Sequence, residues 1–334
     1  MSDLAHVYVT RHLPQPALDL LARHARISVW PGESPPPRAV LMKEVAAIDG
    51  LLTLPSDRVD ASLLDAARQL RVVSNYGVGC DNIDVAAASM RGVLVTNTPD
   101  VMTETVADFT MALMLAAARR LIESDRYVKA GRWRTWGPET LLGRDLYGAT
   151  LGLVGFGRIG RAVARRAGGF GMRILYHSPQ RTIEDEREGE LEYASFERLL
   201  VESDVVSLHC PLNDETYHLI DRDALGQLKP GAILVNTAHG LLVDTRALVE
   251  ALRQKLLAAA LDVTDPEPLP ANHPLLALPN AIVTPHVASA SIHTRTRMAL
   301  IAAENLLTAL RGERPQFLVN PEVWRERAIS IGGS

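Results

Sequence analysis

Short apolar, β-branched runs alternate with longer stretches of helical periodicity along almost the whole chain. His6–Thr10, Arg26–Trp30, Ala47–Leu52, Arg71–Asn75 and Val93–Thr96 read as strands. Pro16–His24, Ser62–Gln69 and Ile83–Arg91 read as helices, and Pro31–Pro37 (PGESPPP) as a loop. Pro99 ends this first block, because a proline biases its predecessor away from helix. Thr103–Arg120 (TETVADFTMALMLAAARR) carries apolar residues on more than one face, the pattern of a buried helix, with Thr103 as its cap. In a second block, Ala149–Val154, Met172–Tyr176, Asp204–His209, Ala232–Asn236, Leu256–Asp262 and Ala281–Thr284 read as strands, with helices between them. Arg158–Phe170 and the final Ile292–Leu310, closed by Gly312, read as helices, and Glu184–Glu192 (EDEREGELE) as a solvated surface segment. Such alternation of apolar strands with helices predicts an α/β protein built on parallel sheets.

Length turns this into two domains, since 334 residues exceed a single domain of about 150. Charge narrows the partners: 35 basic against 39 acidic residues, net −4, argues against nucleic acid and anionic membrane surfaces. No apolar run approaches the roughly 18 residues of a membrane span, and Met1–Thr10 shows no secretory pattern, so a soluble cytoplasmic protein is expected. Two cysteines, Cys80 and Cys210, are too few for a disulfide framework or a cysteine zinc site, and no metal is expected. The ligands should be small molecules.

Gly155-Phe156-Gly157-Arg158-Ile159-Gly160 forms a GxGxxG motif. Alone it is weak, but it follows an apolar strand (TLGLV) and opens a helix (RAVARRAGGFG), the context that dinucleotide binding requires. The first glycine permits a tight turn, the second lets a pyrophosphate approach the backbone, and the third lets helix and strand pack closely. The helix N-terminus then faces the phosphate charge. About 20 residues on, an NAD site carries an acid for the ribose 2′-hydroxyl. Here His177-Ser178-Pro179-Gln180-Arg181 follows the strand instead. Ser178 can donate to a 2′-phosphate and Arg181 can pair with it, which favours NADP(H) and leaves NAD(H) open, as it leaves open that Arg181 is a surface loop residue.

Asn75–Asp84 (NYGVGCDNID), Thr98–Ala107 (TPDVMTETVA), Gly155–Gly160, Val235–Asp244 (VNTAHGLLVD), Leu261–Leu276 (LDVTDPEPLPANHPLL) and Pro279–His286 (PNAIVTPH) occur in an order that spans most of the chain. With these segments the sequence resembles the D-isomer-specific 2-hydroxyacid dehydrogenases, and most closely their glyoxylate/hydroxypyruvate reductase branch. The resemblance implies two doubly wound parallel-sheet domains, a Rossmann-type NAD(P)-binding domain (99–284) inserted in a flavodoxin-like substrate-binding domain (1–98 and 285–334), with the active site in the cleft. It makes His286 the proton donor and Glu267 the carboxylate paired with it. Val78 and Gly79 match amides that hold the substrate carboxylate, and Asp262 a residue bonding the nicotinamide carboxamide. Pro211, Thr237, Ala238 and Ser289 fall at positions lining cofactor or substrate. Trp136 resembles a tryptophan that reaches a neighbouring subunit's active site, which implies a homodimer; an aromatic packed at the contact without a role in substrate choice is the alternative.

One departure stands out. The family's catalytic arginine sits in N-x-x-R-G, whereas Asn236-Thr237-Ala238-His239-Gly240 places histidine there. Arginine offers a planar, permanently charged fork; histidine is shorter and, with a pKa near 6.5, mostly neutral at pH 7. Losing such a donor costs on the order of 3–4 kcal/mol, about 10²–10³ in rate. A variant with impaired turnover is favoured over a changed substrate acid group or lost catalysis. The expected activity is NAD(P)H-dependent reduction of a small 2-oxo acid, glyoxylate or hydroxypyruvate, to its 2-hydroxy acid. A dinucleotide-sensing binding protein and a dehydrogenase for another D-2-hydroxy acid are the alternatives.

Overall fold

A computed structural model describes residues 4–181 and 191–325. The chain divides into two compact units, one running to Met102 and resuming at Ser291, the other Thr103–Ala290. These divisions fall slightly after Pro99 and after the bound at 284/285 that the resemblance implies, and each coincides with the start of a long helix. Thr103 is the first residue of the helix Thr103–Ala118 rather than its cap. Ser291 caps Ile292–Leu310, its hydroxyl accepting from the Thr294 amide at 3.1 Å.

In the first unit, β1 (His6–Val9), β2 (Arg26–Val29), β3 (Gly50–Thr53), β4 (Val72–Asn75) and β5 (Leu94–Thr96) form a parallel sheet in the order β2-β1-β3-β4-β5. This is the flavodoxin-like order. Val7, Val9, Leu52, Val72 and Leu94 pack with the helices Gln15–His24 and Ile292–Leu310. Tyr8, Leu51, Val73 and Val95 pack with Arg38–Val45, Ala61–Ala66 and Val85–Met90. Successive strand residues point to opposite faces, and both faces are covered, so the strands read as unbroken apolar runs. The returning C-terminal segment is tied in by Asn320, which accepts from the Val95 amide at 2.8 Å and donates to the Val93 carbonyl at 2.9 Å.

The second unit holds β6 (Thr150–Val154), β7 (Arg173–His177), β8 (Leu191–Tyr193), β9 (Val205–Leu208), β10 (Ile233–Asn236), β11 (Ala258–Leu261) and β12 (Ala281–Val283). Its sheet is parallel in the order β12-β11-β10-β9-β6-β7-β8, the Rossmann arrangement with one added strand. Growth of the sheet reverses between β6 and β9, so the ligand crevice of such a fold lies off the carboxyl ends of those two strands. Thr103–Ala118 and Arg158–Gly168 cover one face. Phe196–Glu202, Arg222–Gln227 and Thr245–Gln254 cover the other.

Three elements depart from the sequence expectation. Arg38–Val45 and Leu121–Lys129 are helices where none was read; the second buries no residue, and its apolar Leu121, Ile122 and Val128 are exposed. Leu191–Tyr193 is an edge strand rather than part of a solvated segment, with Glu192 paired to Arg173 at 2.7 Å and Arg198 at 2.6 Å. Residues 184–190 of that segment lie outside the described residues. Among the described residues, no helix is long and apolar enough to cross a membrane.

Candidate active site

The glycine cradle forms at the switch point. Gly155 follows β6 with φ +94°, and a Cβ there would lie 2.4 Å from the Cys210 amide nitrogen, at the exit of β9. A Cβ on Gly160 would lie 2.5 Å from the Gly155 carbonyl oxygen, so helix and loop pack at glycine distance. Gly157 caps the helix Arg158–Gly168 without a side chain, and a Cβ there meets nothing within 4 Å. The first and third glycines are therefore needed by the protein's own packing. The second opens a face where the helix N-terminus, including the Arg158 and Ile159 amides, can meet an anion. These residues fit the pyrophosphate of a dinucleotide.

At the neighbouring strand, the Gly155 amide donates to the His177 carbonyl at 2.8 Å, which places Ser178 just past the cradle. Arg181 lies over the Tyr193 ring, 5.7 Å from its centroid. His209, which the sequence reading did not single out, follows β9; its amide donates to the Val154 carbonyl at 2.7 Å and its Nε2 lies 2.9 Å from the Ser207 hydroxyl. Burial pushes its imidazole down to about 4, so it adds no charge near the cradle at pH 7. Its signal was a polar residue ending an apolar strand that abuts a glycine loop. Pro211 is exposed, its carbonyl accepting from the Thr216 hydroxyl at 2.7 Å.

A second cluster gathers at the ends of β10, β11 and β12. His286 Nδ1 lies 2.7 Å from Glu267 Oε1, so the paired histidine and carboxylate expected from the sequence are in contact. Burial pushes the Glu267 carboxyl up. The hydrogen bond and charge of His286, the Thr264 amide and the charge of His239 outweigh it and hold the group below the usual glutamate range. His286 takes φ +54°, uncommon for a side chain of its size. Its amide is held by the Asp262 and Thr284 carbonyls at 2.9 and 3.0 Å.

Asp262 is the brace of that loop. Its side chain is almost wholly buried, Oδ1 accepting from the Thr284 hydroxyl at 2.6 Å and the Val287 amide at 2.9 Å, Oδ2 from the Ala288 amide at 2.7 Å. The resemblance pointed to its bond with a nicotinamide carboxamide; the structure adds the job of fixing the segment on either side of His286. Ser289 follows in the same segment, 6% exposed.

Asn236 braces the neighbouring exit. Its Oδ1 accepts from the Ala238 amide at 3.0 Å and its Nδ2 donates to the His239 carbonyl at 2.7 Å. Thr237 Oγ1 meets Thr110 Oγ1 at 2.9 Å. A Cβ on Gly240 would lie 2.0 Å from the Thr264 carbonyl oxygen, so the residue after His239 packs directly on the turn that leads to Glu267.

In the first unit, the Val78 carbonyl accepts from Asn97 Nδ2 at 2.8 Å and the Gly79 carbonyl from Asn75 Nδ2 at 2.7 Å. Both carbonyls are thus turned toward protein partners. Trp136 is 79% exposed, in a stretch from Leu121 to Tyr147 that also exposes Val128, Trp133 and Leu142. Among the described residues, no group of three His, Cys, Asp or Glu could hold a metal ion.

Residues 111–288 match the NAD binding domain of the D-isomer specific 2-hydroxyacid dehydrogenases. The chain belongs to this family. It is 51% identical over 323 residues to a glyoxylate reductase of Korarchaeum cryptofilum, covering 96% of this chain and 97% of that one. A Thermus thermophilus protein of known structure shares 52% identity at TM-score 0.90, over 94% of this chain and 99% of the other. An NADPH-dependent glyoxylate/hydroxypyruvate reductase of Sinorhizobium meliloti, solved with NADP and malonate, shares 31% at TM-score 0.83, over 95% and 97%. As a 2-hydroxyacid dehydrogenase the chain is an oxidoreductase of nicotinamide dinucleotides, and the glycine cradle lies inside its NAD binding domain.

Proposed function

We propose that this dehydrogenase reduces glyoxylate or hydroxypyruvate to the corresponding 2-hydroxy acid, with NADPH preferred over NADH. The 2.7 Å contact of His286 with Glu267, in the same unit as a complete glycine cradle, is the observation that carries the reading. The names of the Korarchaeum and Sinorhizobium relatives support the substrate class. Bound at the cradle, a reduced nicotinamide supplies the hydride. The protein's part is the proton. Pairing of Nδ1 with Glu267 assigns the transferable proton to Nε2 of His286, and the carboxylate steadies the imidazolium that gives it up. Asp262 holds the loop on either side of His286, while Thr237, Ala238, Pro211 and Ser289 line the bound ligands. Ser178 and Arg181 follow β7, where a hydroxyl and a guanidinium suit a 2′-phosphate that a carboxylate would repel. In the first unit, the Val78 and Gly79 amides are donors for a carboxylate.

His239 replaces the family's arginine and limits the rate. The exposed stretch Leu121–Tyr147, with Trp136, is the contact with a second copy of the chain, because exposed large apolar side chains concentrate there. NADPH and NADH oxidation with a panel of 2-oxo acids tests the reading, wild type beside His239→Arg. Turnover of glyoxylate or hydroxypyruvate is expected, and a gain in kcat/KM of at least about tenfold from His239→Arg. An unchanged or lower value overturns the assignment of position 239. His239 also favours a second reading, a dinucleotide sensor, whose mark is cofactor-dependent dimerisation without turnover of any oxo acid.

A further inference from the structure

Three consecutive carbonyls in the first unit are held by the ends of two neighbouring strands. The Gly77 carbonyl accepts from the Thr98 amide at 2.9 Å, the Val78 carbonyl from Asn97 Nδ2 at 2.8 Å and the Gly79 carbonyl from Asn75 Nδ2 at 2.7 Å. Asn75 ends β4, and Asn97 and Thr98 follow β5, its partner in the sheet. The peptides here are trans. A trans peptide is planar, with its carbonyl and the next amide pointing in opposite directions. Holding the carbonyls of residues 77, 78 and 79 toward the strand ends therefore turns the Val78, Gly79 and Cys80 amides away from them. Among the described residues, nothing accepts from these three amides. Successive amides left open in a turn form a concavity suited to an anion.

The holding side chains are themselves anchored. Asn75 is fully buried, and its Oδ1 accepts from Asn82 Nδ2 at 3.4 Å. Asn82 Nδ2 also donates to the Leu54 and Asp57 carbonyls at 3.1 and 3.0 Å. Asp57, 2% exposed, accepts from the Leu54 amide at 2.8 Å and the Thr53 hydroxyl at 3.1 Å, and it pairs with Arg11 at 3.3 Å. A buried polar network bonded throughout is stiff. The charges beside the loop do not draw an anion. Burial, with the charge of Asp81, pushes the Cys80 thiol up to about 11, so it is neutral at pH 7. Asp81 Oδ2 lies 3.1 Å from where a Cβ on Gly79 would stand, and its charge repels a carboxylate. What this loop offers an anion is its amides.

We propose that Asn75 and Asn97 are positioning residues for substrate binding, and that the Cys80 amide is a third donor to the substrate carboxylate beside those of Val78 and Gly79. The inference rests on the reading that Val78 and Gly79 hold the carboxylate of a 2-oxo acid. Each asparagine acts through a peptide plane rather than on the substrate. Asn97 sets the plane that carries the Gly79 amide, and Asn75 the plane that carries the Cys80 amide. With its carbonyl released, a plane turns, and ordering it again is a cost taken from binding.

The signature is a split between KM and kcat. The carboxylate does not react, so the loop grips it alike before and during hydride transfer. Losing such uniform binding raises KM and leaves kcat unchanged. A residue that merely supports the fold would lower kcat, cofactor affinity and Tm together. The Cys80 amide gives a second signature, because an amide proton that donates to a carboxylate resonates further downfield than a free one.

Cys80 and Cys210 are the two cysteines of the chain, so protein with labelled nitrogen only in cysteine gives two amide signals by NMR, which Cys80→Ser assigns. Oxalate, a carboxylate that cannot be reduced, is titrated onto the labelled enzyme–NADP complex. Expected is a downfield move of the Cys80 amide proton with the Cys210 signal unmoved. In parallel, KM and kcat for glyoxylate, the oxalate Kd, the NADPH Kd and Tm are measured in wild type, Asn97→Leu and Asn75→Leu. In both variants KM and the oxalate Kd should rise at least about tenfold, the worth of one hydrogen bond to a charged group. The kcat and NADPH affinity should stay within about twofold of wild type. Where Asn75→Leu does not fold, Asn97→Leu and the wild-type cysteine spectrum carry the test. Oxalate binding that leaves the Cys80 signal in place, a wild-type KM in Asn97→Leu, or a joint fall of kcat and NADPH affinity in that variant overturns the inference and leaves the reductase reading standing. Absence of both turnover and oxalate binding in wild type overturns that reading and the inference with it.

Discussion

His286 holds a backbone conformation that a histidine adopts only when its surroundings fix it, and those surroundings converge on Asp262. Replacing Asp262 by Asn leaves one of its two oxygens as an NH₂, which cannot accept from a backbone amide. Asp262→Asn should therefore lower kcat by at least about tenfold while the circular dichroism spectrum is unchanged, because a misplaced donor loses rate steeply. Wild-type kcat in this variant would remove Asp262 from the account as the brace. Glu267→Gln acts differently. Without its carboxylate the dyad binds its proton less tightly, so the alkaline limb of the kcat profile should move to lower pH. In the folded protein Glu267 is held below its ordinary range, so the pairing persists above that range and is lost as the pH falls through the depressed value. His209 has the opposite chemistry with the same sign. It is neutral down to about 4 when folded and titrates near 6.5 when unfolded, so the unfolded chain binds the proton first. Acidification from about pH 6.5 to 4 should thus lower the Tm of wild type more than that of His209→Gln, measured by calorimetry; equal slopes would contradict it.

At the scale of elements, the cradle separates two kinds of glycine. A Cβ on Gly160 meets the Gly155 carbonyl at 2.5 Å, a contact backbone cannot yield cheaply, whereas a Cβ on Gly157 meets nothing. Gly160→Ala should lower stability by about 1–3 kcal/mol, the usual cost of overpacking. Gly157→Ala should leave Tm unchanged and weaken NADPH binding at least about tenfold, read by fluorescence titration; the reverse pattern would show that the roles are misassigned. The tight packing at Gly155 and Gly160 was legible in the sequence because GxGxxG depends on local chain geometry. So were the strands, whose unbroken apolar runs reflect sheets covered on both faces. The helix Leu121–Lys129 was not: it is short, and its apolar Leu121, Ile122 and Val128 are exposed rather than packed in a core. Asp262 could be matched to a site, but its bonds to Val287 and Ala288 join residues distant in sequence and appear only when β11 and β12 lie side by side. Position 239 was the reverse case, conspicuous in the sequence and given its setting by the packing of Gly240 on Thr264.

At the scale of the molecule, the chain uses two doubly wound sheets, one of them covered in part by the helix Ile292–Leu310 of the segment that returns after the NAD binding domain. The modest net charge of −4 suits a protein whose anionic ligands are met by helix ends, amides and a few local side chains rather than by a basic surface. The exposed stretch around Trp136 should make the protein a dimer by light scattering, and Trp136→Glu with Trp133→Glu should shift it toward monomer. Proton transfer from His286 in a nicotinamide-dependent reduction of a 2-oxo acid is checked by NADPH oxidation with glyoxylate in wild type and His286→Gln, each with its NADPH affinity measured. Turnover is expected in wild type, with a loss of at least about 100-fold in kcat in His286→Gln and equal NADPH binding in both. Equal turnover in the two proteins, or none in wild type with cofactor fully bound, would contradict it.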